Sequence, residues 1–506
     1  MSKEKDCNKE IKRSAKMEFI ARFTLEDGTV VERKVPVDGG VPDRGEMDFS
    51  SVEGLLRSFD VYEQATLAAS NRLRNEIADE YMTELSKKKG QDGIDGRLCE
   101  IECETGRVKV YAYGEAFSSL RPKERVWGVS LSDRILTLSS LVSYAKATDL
   151  CNRFLHRGED DALCTKTVKD FVERTGTRLD AEYDKASEAI LRANKIDDAT
   201  GIPDKSSPVI KKAKDAAVHT ADRDKVAEVA RLYNEKREGT ARIPEHLMET
   251  LPEGKPEQCV YVYVDDVLVK HQKECRGPAH KRDTRFISNT VISIQHGDKR
   301  FDITAKDMDQ AFKRLMAFLL ANNLAGRQLV FITDGATEIK EHVGRFFAFM
   351  PYTLYLDWHH LQKKCYQQLS SALKCGKAMR DDKDRIEREL YGILWAGNVK
   401  GALEYISAIG QKYIKSQDAL DKLTTYIERK SEHIPCYAIR KGLGLHNSSN
   451  PVEKANDLLV AQRQKGKGMA WSVKGSHALA TITVAERNAE RYDMLIGKAP
   501  RFAFAA

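Results

Sequence analysis

Between residues 259 and 360 the chain switches hydrophobic period in an order that few architectures accept. CVYVYVDDVLVKHQ reads as one strand, and RFISNTVISIQHGDKRFDITA as two more around a His296-Gly297-Asp298 turn. DMDQAFKRLMAFLLANN then carries helical spacing, RQLVFITDG returns to a short apolar strand, ATEIKEHVGRFFAF is helical, and YTLYLDWHH is again a strand. Three strands followed by helix, strand, helix and strand predict a mixed sheet with helices on its faces.

Two of these strands end on acidic residues. Asp265 stands at the end of the first and Asp334 at the end of the fourth. Phosphodiester chemistry by two metal ions needs several carboxylates at one point, with the ions roughly 3.5–4 Å apart. Adjacent strand ends can supply them. Each acid also has a plain structural reading. Asp334 can N-cap the helix after it, with Gly335 easing the turn. Asp266 follows Asp265, and alternate strand residues face opposite ways, so only one of the two can enter a given site. Farther along, in NPVEKANDLLV, Asn450 reads as an N-cap, Pro451 as the first helical residue and Glu453 as the third. That pattern fits a capping box as well as a metal ligand.

The 506 residues suffice for several domains; 41% are hydrophobic and 31% charged, and the net charge is +7. A mild basic excess permits a polyanionic partner, and equally an ordinary basic surface. No stretch reaches the roughly 18 apolar residues of a membrane helix, and MSKEKDCNKEIKRSAK lacks the apolar core of a signal peptide. Ten scattered cysteines suit a reducing compartment. These features predict an intracellular protein with no membrane partner. Upstream, MEFIARFTLEDGTVVERKVPV and GRLCEIECETGRVKVYAYGEAF read as hairpins. A helical stretch from about 51 to 89 separates them, ending in the charged, Gly-bearing SKKKGQDGIDG. Short helices from 130 to 176 admit a helix-turn-helix-like unit or a plain bundle. A charged helical region runs to the LPEGKPEQ linker.

Four segments together resemble the DDE transposases of bacterial insertion sequences, and more narrowly the Mutator/hAT-like group. VYVYVDDVLV resembles the first catalytic strand and VFITDGATEI the second. LDWHHLQKK matches a D-x2-H signature at Asp357 and His360. NPVEKANDLLVAQRQKGKGMAWSVKGSHAL resembles the segment around the final glutamate. The likeness spans about 255 to 485. The chain departs from the pattern with Asp266 where Gly is usual, with Ser448-Ser449-Asn450 in place of a Gly-rich stretch, and in lacking an N-terminal zinc-binding cysteine set.

The resemblance implies a multidomain chain of the α+β or α/β class. An RNase H-like mixed sheet (257–360 and 446–490) would be interrupted by an all-helical insertion (361–445). A hairpin with helices (1–90), a helix-turn-helix-like DNA-binding region (91–178) and a charged helical linker (179–256) would precede it. It also implies Asp265, Asp334 and Glu453 as catalytic ligands of Mg2+, with Mn2+ as a substitute. Asp357 and His360 would support the strand end or contact DNA, and Asp357 would be a reserve ligand. The substrate would be double-stranded DNA, both element ends and target, held by a homodimer in the bacterial cytoplasm at the nucleoid. Lys363, Lys364, Arg463, Lys465, Lys467 and Lys474 are candidate phosphate contacts. Trp471 is either a base-stacking ring or a core tryptophan. Two other functions fit the same residues: an inactive or domesticated DNA-binding derivative, and another RNase H-like nuclease.

Overall fold

The computed structural model describes residues 17–25, 27–37, 48, 50–87, 97–113, 126–157, 161–197, 200–272, 285–374, 376 and 379–504. The basic N-terminal stretch and most of SKKKGQDGIDG, read above as a boundary, lie outside the described residues. The chain divides into two compact units, Met1–Val172 and Glu173–Ala506. Among the described residues no helix is long and apolar enough to cross a membrane.

In the first unit, strands β1 (Glu18–Thr24) and β2 (Val30–Pro36) pair antiparallel. Their turn needs Gly28, whose φ of 85° is a left-handed conformation that glycine adopts without a Cβ penalty. Helix α1 (Val52–Ser86) begins where Ser51 accepts the Gly54 amide, and its Ala69 and Leu73 pack with Val35 and Val37 of the hairpin. Strands β3 (Arg97–Glu102) and β4 (Arg107–Ala112) form the second hairpin, and β5 (Val126–Trp127) joins β3 in parallel. Helices α2 (Val129–Leu141), α3 (Tyr144–Phe154) and α4 (Thr165–Ala193) follow, the last ending in the second unit.

The second unit is built on a five-stranded mixed sheet. A short helix, α5 (Arg223–Asn234), precedes it. Strands β6 (Cys259–Lys270), β7 (Phe286–His296) and β8 (Lys299–Ala305) make an antiparallel meander. Helix α6 (Met308–Ala321) leads to β9 (Gln328–Thr333), and helix α7 (Thr337–Phe347) leads to β10 (Tyr352–Leu356). The sheet order is β10-β9-β6-β7-β8, with β6, β9 and β10 mutually parallel. The apolar run of β6 follows from this place. Cys259 to Val264 are all buried, as suits a central strand covered on both faces. Beyond Asp265 the strand alternates, with Val267 and Val269 in and Leu268 out.

After β10 the chain leaves the sheet for α8 (Trp358–Ala372), α9 (Arg380–Trp395), α10 (Val399–Ser407), α11 (Gln417–Lys430) and α12 (Tyr437–Gly442). These helices bury their own core, including Leu361, Leu369, Leu390, Leu394, Leu423 and Ile427. The chain then returns through α13 (Asn450–Asn456) and α14 (Val473–Arg487). The return is tied to β6 and β7. Trp471 N donates to Lys270 O at 3.0 Å, and Asn289 Nδ2 on β7 donates to Ser476 Oγ at 2.9 Å.

The insertion is fastened to the sheet by a buried ion pair. Arg440 on α12 bonds Glu253 through Nη1, and both side chains are at most 2% exposed. Tyr261 and Tyr355 donate their hydroxyls to the same carboxylate, at 2.9 and 3.1 Å. Arg440 also donates through Nε to Asn447 Oδ1 (3.0 Å) and through Nη2 to His446 O (2.6 Å). A buried pair with a partner on every guanidinium nitrogen contributes more to a unique geometry than to net stability, and removing one partner strands the other. Glu253→Ala should therefore lower unfolding free energy by about 3–5 kcal/mol. Chemical denaturation measures this, and a loss below about 1 kcal/mol would contradict the clamp.

Candidate active site at the ends of three parallel strands

The parallel register lines up three aspartates. Val264 of β6 is level with Thr333 of β9, and Leu356 of β10 is level with the same Thr333. The next residue along each strand is Asp265, Asp334 and Asp357. The Asp357 amide donates to Thr333 O at 2.8 Å, which carries the pairing one step past the ladder. The carboxyl ends of parallel strands are where open mixed sheets generally hold ligands.

Each aspartate is held differently. Asp265 is half-buried; its Oδ1 accepts the Asp266 amide at 2.8 Å and its Oδ2 accepts Asn456 Nδ2 at 2.6 Å. Burial pushes its carboxyl above the usual range, the charge of Asp334 adds to this, and the Asp266 amide, His360 and Asn456 oppose it. Asp266 turns to the opposite face and accepts the Thr290 hydroxyl at 2.7 Å, so pleat parity selects Asp265 for the site. Asp334 does not cap α7, whose N-cap residue is Ala336 with no side-chain bond. Its Oδ1 instead accepts the Ala336 amide at 2.8 Å in an Asx turn. Gly335 sits at φ 82°, and a Cβ there would meet Leu356 Cδ1 at 2.7 Å, so this turn requires glycine.

Asp357 is fully buried and caps α8, accepting the His360 amide at 2.7 Å and His360 Nδ1 at 3.1 Å through Oδ1. Its Oδ2 accepts the Ser449 amide. Burial alone would raise its carboxyl, but the bonds from His360 and Ser449 outweigh it and hold it below the usual range. The D-x2-H pair is thus one hydrogen-bonded unit joining β10 to the start of the return segment. His360 is pushed above its ordinary value first by the bond to Asp357, against burial, and further by the charges of Asp357, Asp334 and Asp265.

The return segment corrects one expectation. Asn450 is the first residue of α13 rather than its cap, the cap position is Ser449, and no side chain bonds there, so there is no capping box at Glu453. Glu453 is exposed. One turn later Asn456 makes the bond to Asp265 described above, which sequence reasoning did not single out. The available signal was its i+3 spacing from Glu453, which puts both on one helix face. Lys430, at the end of α11, was missed as well. Its Nζ donates to Gly335 O at 2.6 Å, bringing a cation from the insertion to the Asp334 turn.

The residues expected on DNA divide by exposure. Lys363, Lys465, Lys467 and Lys474 are exposed, and Lys364 is half-buried with its ammonium over the Tyr426 ring at 5.7 Å. Trp471 is 8% exposed, with Nε1 donating to Gln464 O at 3.0 Å, and the buried Arg463 guanidinium lies 4.9 Å from its ring centre. Of the two readings of Trp471, burial gives the core tryptophan, and it takes Arg463 from the candidate phosphate contacts into this loop.

Among the described residues, no group of three or more His, Cys, Asp or Glu side chains is arranged to hold a metal ion. What stands together is the Asp265–Asp334 pair and the amide of Asn456, whose Oδ1 is buried without a hydrogen-bond partner. Two carboxylates and an unpartnered neutral oxygen fit a hard divalent cation that keeps several of its waters. They do not form a closed cage.

No family model matches the chain, and no curated protein does. A search of solved structures found the Drosophila P element transposase strand transfer complex. It is 9% identical with a TM-score of 0.23, over 61% of this chain and 93% of that one. A superposition of that size leaves the reading of the site to its own residues.

The His360 shift has a definite pH consequence. Its folded-state value lies above the unfolded value of about 6.5. The stability from its protonated form is therefore complete below that pH and is lost as pH rises through the folded value. In an NMR titration the His360 ring should titrate above 6.5, and Asp357→Asn should bring it down. A wild-type midpoint at or below 6.5 would contradict the geometry.

Proposed function

We propose that this chain is a transposase of the DDE type, a Mg2+-dependent polynucleotidyl transferase that cuts insertion-sequence ends and joins them to target DNA. The observation that carries the reading is the alignment of Asp265 and Asp334 on adjacent parallel strands, with the Asp357–His360 unit on the next. The sheet order supports an RNase H-like assignment for this domain. The intervening helices with their own core support an insertion ahead of the final acid.

In this reading Asp265 and Asp334 would hold the divalent cations. Glu453 completes the set from α13, one turn (about 5 Å along the helix) before the residue that touches Asp265. Bound Mg2+ supplies a lowered pKa for the attacking water or DNA 3′-hydroxyl and charge stabilisation for the leaving 3′-oxygen. Asp357 orients His360 through Nδ1 and fixes the strand end. Lys430 and the exposed Lys363, Lys465, Lys467 and Lys474 would take phosphates, whose contacts dominate affinity and make it salt-dependent. The short helices of the first unit would read end sequences. Bringing two ends together calls for a homodimer.

Asp334→Asn should reduce Mg2+-dependent cleavage of element-end DNA by more than about 100-fold, since even supporting residues of metal sites cost 10–100-fold. DNA binding should be largely retained, and undiminished cleavage would rule out the site. Glu453→Gln should lose cleavage with little change in stability, because no capping bond is at stake. A stability loss near 1 kcal/mol with activity intact would return Glu453 to a capping role.

A further inference from the structure

The amide of Asn456 is used on one side only. Its Nδ2 donates to Asp265 Oδ2 at 2.6 Å, while its Oδ1 is sealed from solvent with no partner. The orientation is chemically determined, because an ionised carboxylate only accepts hydrogen bonds and must face the NH2 group. The carbonyl oxygen, beside that bond on the same amide, is left with no protein donor. A buried acceptor left in that state costs about 1–3 kcal/mol, a cost that a donating water removes.

The backbone around Asn456 is also unusual. Residues Asp457–Ala461, directly after α13, form a π-helix, a rare turn frequent at functional sites. The wider turn inserts a residue between two faces with different duties. Upstream, Asn456 bonds Asp265 at the end of β6. Downstream, Gln464 is buried, giving Nε2 to Ser476 O at 3.1 Å and accepting Ser476 Oγ at 2.6 Å.

We infer that Asn456 is a positioning residue of the metal site. Its Nδ2 fixes the Asp265 carboxylate, and its Oδ1 accepts a hydrogen bond from a water of the hydrated divalent cation held by Asp265 and Asp334. A hydrated Mg2+ or Mn2+ presents strong water donors where the orphaned oxygen needs one. Supporting partners of this kind fix ligand orientation, and losing them typically costs 10–100-fold in metal affinity. The inference rests on the divalent-cation reading of the site, and the test separates the two.

The experiment measures Mn2+ binding to the full chain without DNA, by calorimetry and by the electron paramagnetic resonance of bound Mn2+. Wild type, Asp334→Asn, Asn456→Ala and the near-isosteric Asn456→Leu are compared, with thermal unfolding of each. The expected result is binding by wild type, none by Asp334→Asn, and a 10–100-fold weaker constant for both Asn456 variants at unchanged melting temperature. Asn456→Asp, which keeps an acceptor but loses the donor to Asp265, should change the resonance of bound Mn2+. Wild-type affinity in either folded Asn456 variant, with binding lost in Asp334→Asn, overturns the role of Asn456 and leaves the carboxylate site standing. Absence of Mn2+ binding by wild type overturns both.

Discussion

The candidate site depends on the hydrogen-bond register of three parallel strands. Pairing Val264 and Leu356 with the same Thr333 makes Asp265, Asp334 and Asp357 neighbours, and a slip of one residue in either ladder would turn a side chain to the other face. The register is protected by burial. Cys259–Val264 and Gln328–Thr333 are covered throughout, so any slip would also carry covered residues out of the interior. The apolar runs that precede the acids are thus the means by which the acids are placed.

The second requirement is that a distant part of the chain comes back to the same point. The helices from α8 to α12 bury a core of their own and could be arranged in many ways relative to the sheet. Their return is specified by polar bonds. Arg440 reaches Glu253, His446 and Asn447, and Tyr437 gives its hydroxyl to Leu356 O at 2.8 Å. Asp357 receives the Ser449 amide just before α13. Asp357 therefore acts twice, capping the helix that leaves the sheet and anchoring the segment that rejoins it. This gives the D-x2-H pattern a structural meaning apart from any contact to substrate.

Local pattern made the sheet legible. The strand and helix order from 259 to 360 follows from hydrophobic period alone, and the Asp27-Gly28 hairpin from its turn residues. Parity between Asp265 and Asp266 needed the structure, because it is decided by what faces each side of β6: Asn456 on one and Thr290 on the other. The capping reading of Glu453 failed because Ser449 is engaged by Asp357 through its backbone, which moves the helix start by one residue. Arg463 sat in a basic, Gly-rich stretch that reads as DNA-facing and Trp471 admitted either reading; the guanidinium lies over the indole, and Trp471 bonds Gln464 O and Lys270 O. Lys430 gave no local signal and Asn456 only its spacing from Glu453, since their partners lie 95 and 191 residues away.

The account stands on a divalent cation occupying the Asp265–Asp334 strand ends. The most direct measurement is anomalous scattering from crystals of the chain soaked in Mn2+. The account predicts a peak about 2.1 Å from carboxylate oxygens of both residues. A soaked crystal with ordered side chains there and no peak between them, or a peak bound only elsewhere, would contradict it.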